Sequence, residues 1–568
     1  MEIKKEVARI LKKVLDLKED EILKLIEEPP DPSLGDLAFP CFSLAKELKK
    51  SPGEVSKEIA QKIKIPRDSL IRKVEVAGPY LNFFLDNEKF AGYVINNIKK
   101  LGERFGHSGI GKGKKVMVEY PAPNTNKPLH LGHMRNMAIG ESVSRLFEML
   151  GFKVFRVNLH NDRGIHICKS MLAYKKWGNE AEPNKKPDHF VGDFYVLFSQ
   201  KVKDNPELEE EAREMLRKWE EGNKEVRELW EKMNGWAEEG FEETYKRFGV
   251  KFDKIYRESE TYKKGKEMVL EGLKKGIFKR DETGAIFFDM SKQGLDKKIL
   301  IRSDGTTLYI TQDIYLAYLK YKEFKIDKSV YVVGNEQNYH FDVLFKVLDE
   351  LKKLGYDFAP ENYHLSYGMV FLPSGKMKSR EGTVVDADNF MDEIEEMAMG
   401  EIKKRNKIDD EKLAELSRKI GLAAIKFFLL KYDEHKDFVF NPEESLSFEG
   451  ETGPYLQYSL VRAKKILEKS EESSFGNLKF SEPEEFELIK KISNFPEVVE
   501  NAALKYKPHL LANYSYELAS LFSKFYEKCP VLQADEPFKN SRLALVWAFM
   551  QTMKNCLKLL GIDEVDMM

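Results

Sequence analysis

From Lys115 to His160 the chain reads strand, loop, helix, strand, and few folds satisfy that order. "KVMVEY" is a short apolar, β-prone run; "MRNMAIGESVSRLFEMLGF" has the spacing of an amphipathic helix that stops at Gly151; "KVFRVNLHND" is a second strand. Two strands joined through a helix lie parallel in one sheet, because the crossover is too long for a hairpin. Such a sheet binds its ligands where the strands end. The loop leaving the first strand, "PAPNTNKPLHLGH", stands at that place and is crowded with polar groups.

His130 and His133 are spaced i and i+3 where the helix begins. Their ring N–H groups point to the same spot as the free backbone amides of the helix start, which makes an anion site. Gly132 has no side chain, so a flat ring can lie on the backbone there. Taken alone, the two histidines could equally do no more than cap the helix. A second loop, "LPSGKMKSREGTVV" at 372–385, offers Lys376, Lys378, Ser379 and Arg380 within five positions. It suits a polyphosphate whose charge shifts during reaction, although a basic loop read alone is an ordinary exposed one.

At 568 residues the chain is too long for one core. Helical spacing dominates residues 1–65, with a turn-rich break at "EPPDPSLGDLAFP", and "IRKVEVAGPYLNFFLD" alternates like strands around a Gly-Pro turn. The linker "GHSGIGKGKK" closes this N-terminal α+β unit, 1–110, and the sheet domain runs from 111 to 385. An insertion at about 166–250 is highly charged with Trp and Leu at helical spacing, so it reads as solvated helices. Sheet-like runs return at "KKILIRSDGTTLYIT", "KSVYVVGNEQ" and "YHLSYGMVFLP". A helical connector, 386–445, and an all-α bundle, 446–568, complete an α/β multidomain chain.

Composition excludes several classes of function. Four cysteines without a C-x-x-C pair argue against a disulfide framework or a thiolate zinc site, and His160, His166 and Cys168 are not expected to hold a metal. No window reaches the roughly 18 apolar residues of a membrane span, so a cytoplasmic chain without membrane partners is expected. The net charge of −2 gives no signal for nucleic acid, so any RNA must meet a local basic surface. Abundant Lys and Glu hint at a thermophile.

Together and in this order, the two polar loops resemble the H-I-G-H and K-M-S-K-S motifs of class I aminoacyl-tRNA synthetases. "VEYPAPNTNKPLHLGH", "SDGTTLYITQDI", "GNEQNYHF", "SFEGETGPYLQYSLVRAKKIL" and the N-terminal "DPSLGDLAFP" and "VEVAGPYLNF" narrow the resemblance to the arginyl-tRNA synthetases. The resemblance implies a Rossmann-like parallel-sheet catalytic domain, an N-terminal tRNA-contacting domain and a C-terminal anticodon-binding bundle. It implies arginine activation by ATP with Mg²⁺ that travels with the nucleotide, transfer to tRNA(Arg), and a monomer.

By the same resemblance ATP meets His130, Gly132 and His133, and Gly368, Met369 and Val370. Lys376, Lys378, Ser379 and Arg380 act on the phosphates. Glu119 and Asn124 hold the α-amino group of arginine, Gln337 helps read its side chain, and Glu258 is a further member of the site. Tyr309 and Asp313, one helical turn apart, share a face, so that Asp313 takes the guanidinium while the ring packs on its plane. Tyr526 and Met568 match positions near the anticodon pocket.

One departure matters. Ser379 stands where most class I enzymes carry the second lysine of K-M-S-K-S, and Lys127, just ahead of the first motif, is the expected replacement. Three other readings share parts of the pattern: a class I synthetase for another amino acid, a small-molecule nucleotidyltransferase, and a catalytically silent tRNA-binding paralogue. The helical stretch 446–568 separates the second from the rest, and intact Lys127, His130, His133 and Asp313 speak against the third.

Overall fold

A computed structural model of the chain describes residues 2–568 apart from 292, 293, 295, 353, 354, 357, 359, 360, 374–384, 406, 407 and 471–477. It contains two compact units: Met1–Gly106 with Tyr458–Val498 and Tyr514–Asn555, and His107–Gln457 with Val499–Asn513 and Cys556–Met568.

In the first unit β1 (Leu37–Pro40), β2 (Ile71–Ala77) and β3 (Tyr80–Leu85) form an antiparallel sheet in the order β1-β3-β2. β2 and β3 are the alternating run expected around Gly78. β1 was not expected: it lies inside the turn-rich break, where pairing of Leu37 with Phe83 and Phe39 with Leu81 overrides the local preference for a turn. The helices Glu2–Lys12, Pro52–Lys62 and Asn87–Leu101 belong to the same unit, the second started by Pro52 and a Ser51–Glu54 capping box.

The second unit is built on β4 (Lys115–Glu119), β5 (Lys153–His160) and β6 (Lys254–Arg257), the small antiparallel sheet of β7 (Lys279–Arg280), β8 (Ile286–Phe288) and β9 (Lys298–Ile301), and then β10 (Lys328–Gly334) and β11 (Glu361–Tyr367). The main sheet has the order β11-β10-β4-β5-β6 and every pairing in it is parallel. From β4 the chain moves outward through β5 and β6, then returns to the other side of β4 as β10 and β11. The direction therefore reverses at the β10/β4 seam, the kind of place where open α/β sheets bind ligands beyond the carboxyl ends of their strands. A final parallel pair joins β12 (Val370–Phe371) to β13 (Phe438–Val439). The sheet-like reading of "KKILIRSDGTTLYIT" holds only for its start, since Tyr309 already opens the helix Tyr309–Phe324.

The helix Leu131–Met149 buries Met134, Met137, Val143, Leu146 and Phe147. It approaches the end of β4 closely: a Cβ on Gly140 would lie 2.5 Å from the ring of Tyr120. The Tyr120 hydroxyl donates to Glu141 at 2.7 Å, and Glu141 also pairs with Arg145 and Arg156. The insertion forms the helices Ile165–Trp177, Pro187–Asp204, Leu208–Glu221 and Lys224–Phe248, with a core of its own around Phe190, Phe194, Phe198 and Trp219. Each such side chain contributes roughly 1.5–3 kcal/mol on burial, which is why so charged a segment still folds. From Ala387 onward the described chain is helical apart from β13, and among the described residues no helix is long and apolar enough to cross a membrane.

Candidate active site

At the β10/β4 seam the chain leaves β4, crosses the loop 120–130 and enters the helix Leu131–Met149 through His130. The two histidines cap each other. Gly132 N–H donates to His130 Nδ1 at 3.2 Å, and His130 N–H donates to His133 Nδ1 at 3.1 Å. Since both Nδ1 atoms accept, each ring carries its proton on Nε2. Burial holds both rings neutral, with Lys127 adding to the effect at both and the His130 ring at His133: His130 is pushed down to about 4 and His133 well below the ordinary imidazole value. The pair is thus two neutral N–H donors whose ring centroids lie 3.8 Å apart.

This corrects the expectation that free helix amides build the anion site. Leu131 N–H donates to Val385 O at 2.9 Å, Gly132 N–H to the ring of His130, and His133 N–H to His130 O, so the first three amides are already satisfied. The flat ring lying against Gly132 is that of His130 itself, whose Cε1 would be 3.0 Å from an added Cβ. Among the described residues of this turn, the Nε2–H groups and Lys127 remain for an anion. The Lys127 ammonium makes no ion pair among the described residues, lowers the proton affinity of His130, His133 and His166, and has its own pKa lowered by burial.

The exit of the second polar loop meets the same turn. His130 bridges Asp386, and Ala387 N–H donates to Leu129 O at 2.9 Å. Lys376, Lys378, Ser379 and Arg380 themselves lie outside the described residues. Gly368, Met369 and Val370 follow β11 at the carboxyl edge of the sheet. Gly368 N–H donates to Glu434 O at 2.9 Å, Met369 N–H donates to Asp437 Oδ1 at 2.6 Å, and Val370 opens β12.

The residues expected to hold the amino acid ring the seam from several elements. Glu119 ends β4 and is buried; Asn124 bridges Asn161 in the loop beyond it. Gln337, exposed, closes the short turn Asn335–Gln337 after β10. Glu258 begins the helix Glu258–Lys274, and Asp313 lies on Tyr309–Phe324. These two helices touch backbone to backbone: a Cβ on Gly265 would lie 1.9 Å from Thr311 O. That contact brings two carboxylates under mutual influence. Burial first, then Asp162 and Asp313, pushes Glu258 up to about 7. Tyr309 shares the helix with Asp313 as expected but is 64% exposed.

Three residues of this region carry no signal that sequence reading used. Lys320, 1% exposed, pairs with Glu119 Oε2; burial opposes its charge, yet Glu119 and Tyr331 hold its pKa above the ordinary value. His340 Nε2 lies 2.7 Å from Asp313 Oδ2. Gln312, also buried, hydrogen-bonds Glu258. Lys320 and His340 are spaced i+7 and i+27 from Asp313, and no local motif distinguishes them from surface residues.

Tyr526 lies in the first unit, 42% exposed, with the Arg462 guanidinium 5.1 Å from its ring centroid and 4.7 Å from that of Tyr458. Met568, half-buried, lies in the second unit.

Family models match along the chain: the arginyl tRNA synthetase N terminal domain over 1–85, the catalytic domain of class I (R) tRNA synthetases over 95–442, and the DALR anticodon binding domain over 456–568. The arginine–tRNA ligase of Treponema denticola is 46% identical, covering 96% of this chain and 94% of its own length; that of Borrelia hermsii is 42% identical, covering 100% and 99%. Among solved structures, the Thermus thermophilus arginyl-tRNA synthetase superposes with a TM-score of 0.83 at 27% identity, covering 100% of this chain and 99% of that one.

Proposed function

Since the chain belongs to the arginyl-tRNA synthetases of class I and ligates arginine to tRNA(Arg) using ATP, we propose that its seam site divides the reaction among the following groups. The observation that carries the reading is the Lys127 ammonium, without an ion pair among the described residues, beside two neutral imidazoles whose Nε2–H groups make no hydrogen bond among those residues. A cation and two donors held in advance, without a neutralising carboxylate, suit a polyphosphate that gains charge as diphosphate leaves.

The arginine carboxylate attacks the α-phosphorus, the bond to diphosphate breaks, and the terminal adenosine of tRNA then attacks the arginyl carbonyl and releases AMP. No protein nucleophile is required, so catalysis is positioning plus charge stabilisation. Lys127, His130 and His133 act on the phosphates with Lys376, Lys378, Ser379 and Arg380; Gly132 and the backbone at Gly368, Met369 and Val370 face the nucleotide. Lys320 occupies one oxygen of Glu119 and leaves the other, with Asn124, for the α-amino group. Asp313 and Glu258 receive the guanidinium, Gln337 reads its edge, and Tyr309 closes over its plane. Mg²⁺ arrives with ATP, held by the phosphates rather than by a protein cage.

In the helical domain, Tyr526 with Arg462 and Tyr458 offers stacking surfaces for unpaired bases, and Met568 is assigned to the same recognition step. The chain works as a cytoplasmic monomer, with 1–110 contacting tRNA and 446–568 reading the anticodon. A charging assay with each of the twenty amino acids and total tRNA tests the whole reading: arginine alone should be esterified, and equal charging with lysine would overturn the guanidinium assignment.

A further inference from the structure

Arg135, two residues along the helix from His133, is fully buried yet, among the described residues, pairs with no carboxylate. Its guanidinium instead donates to main-chain carbonyls: Nη1 to Gly368 O and to Lys436 O at 3.0 Å, Nη2 to Glu434 O at 3.1 Å and Asp433 O at 3.4 Å. It also lies 4.7 Å from the ring centroid of Phe438. The fork therefore ties the histidine helix to the backbone after β11 and to the loop 433–437. That loop grips the same backbone from its other side, since Glu434 O accepts from Gly368 N–H and Asp437 Oδ1 from Met369 N–H. The side chains of Asp433 and Glu434 face a different element. Lys507 Nζ lies 3.0 Å from Asp433 Oδ2 and 3.5 Å from the buried Glu434, and His509 Nδ1 lies 3.1 Å from Glu434 Oε2.

Lys507 and His509 belong to an elbow seated in the parallel-sheet unit. Tyr506 stacks on Tyr363 of β11 at 3.8 Å and 10°, and its hydroxyl contacts Lys328 Nζ at 2.6 Å and Glu361 Oε1 at 3.0 Å. The helix that begins at this elbow, Pro508–Lys528, also carries Tyr526. One continuous helix thus starts at the Asp433–Glu434 carboxylates and bears the exposed tyrosine assigned to unpaired bases.

We propose that the loop 433–437 is a relay through which the tRNA-binding helix sets the ATP-facing backbone at Gly368–Met369, with Arg135 as its positioning residue. The inference rests on the reading that Gly368–Met369 face ATP and Tyr526 faces tRNA. A shift of the elbow changes how Lys507 and His509 hold Asp433 and Glu434, and the loop cannot move without moving the carbonyls that Arg135 clasps. A half-buried ion pair at the surface contributes little net stability, so the value of Lys507–Asp433 lies in this coupling.

The test is a double-mutant cycle on the full-length chain, read by tRNA(Arg)-supported ATP–pyrophosphate exchange and by tRNA(Arg) binding. Lys507→Ala with His509→Ala should lower the exchange rate about tenfold and raise the ATP KM, with the tRNA Kd changed less than about twofold. Lys507→Arg should retain the wild-type rate. Arg135→Lys, which keeps the charge but loses the fork, should show a similar loss, and the combined variant should be no worse than Arg135→Lys alone. If Arg135→Lys does not fold, the exposed Asp437→Ala takes its place. Losses that multiply, or a loss confined to tRNA affinity, or full exchange by the Lys507/His509 variant, would overturn the relay. An Arg135→Lys variant with unchanged rate and ATP KM would instead overturn the assignment of Gly368–Met369 to ATP.

Discussion

His340 Nε2 lies 2.7 Å from Asp313 Oδ2, so one oxygen of the carboxylate assigned to the guanidinium is held by an imidazole from another element. The pair fixes the orientation of Asp313 before substrate arrives, which is what a bidentate site requires. It also leaves Oδ1 and the neighbouring Glu258 as the acceptors still to be satisfied.

Replacing Asp313 by Asn should raise the arginine KM by roughly 100-fold or more, because a buried guanidinium loses a charged acceptor. The kcat at saturating arginine should change far less. His340→Ala should produce a smaller KM increase, since it removes the orientation but not the acceptor. Steady-state charging across arginine concentrations measures both, and an unchanged KM for Asp313→Asn removes that residue from the site.

Glu258 sits at about 7 in the free protein, so near neutral pH a substantial fraction carries a proton. A bound guanidinium favours the ionised form and lowers that value. Arginine affinity should therefore fall as pH drops below 7, approaching about tenfold per pH unit, and level off above it. Calorimetry in buffers of different ionisation enthalpy should register proton release on binding at pH 6.5. Glu258→Gln should abolish both the release and the pH slope while weakening arginine binding; a variant that keeps the slope assigns the titration elsewhere.

Lys320 and Glu119 test the floor of the same pocket. Lys320→Ala leaves a buried carboxylate without its cation and should cost about 3–5 kcal/mol of stability, read as a lower urea midpoint for the parallel-sheet unit. Adding Glu119→Gln should recover much of that loss, because the uncompensated charge is gone. If the single variant melts like wild type, the pair does not anchor the end of β4.

Much of this arrangement is legible in the sequence alone. The βαβ pattern from Lys115 to His160 and the pairing of His130 with His133 locate the site, because period and turn chemistry are local. The helices of the insertion showed themselves by charge and Trp spacing, and the placing of Tyr309 and Asp313 on one helix by their spacing. What was hidden depends on tertiary partners. β1 forms only because β3 is beside it, and the helix amides are unavailable only because Val385 O and two ring nitrogens reach them. Lys320 and His340 lie in ordinary helical sequence, and nothing local tells that one is buried against Glu119 or that the other reaches Asp313.

Gly265 offers a purely steric test. Its missing side chain lets the helices bearing Glu258 and Asp313 meet at Thr311 O, and Gly265→Ala would place a Cβ 1.9 Å from that oxygen. The helices must separate, at a cost of about 1–3 kcal/mol, and the two carboxylates with them. The arginine KM should rise while the ATP KM stays near wild type; a rise in the ATP KM alone would detach this contact from the arginine pocket.

In the proposed division of the reaction, Lys127 supplies the phosphate-stabilising charge missing at Ser379. Single-turnover formation of arginyl-adenylate by Lys127→Ala, with tRNA(Arg) and saturating ATP, tests it most directly. An oriented cation that strengthens its contact in the transition state is worth about 3 kcal/mol, so the rate should fall roughly 100-fold or more while ATP binding changes little. A rate within about threefold of wild type, under 1 kcal/mol, would contradict the account and leave Lys127 a solvated loop residue.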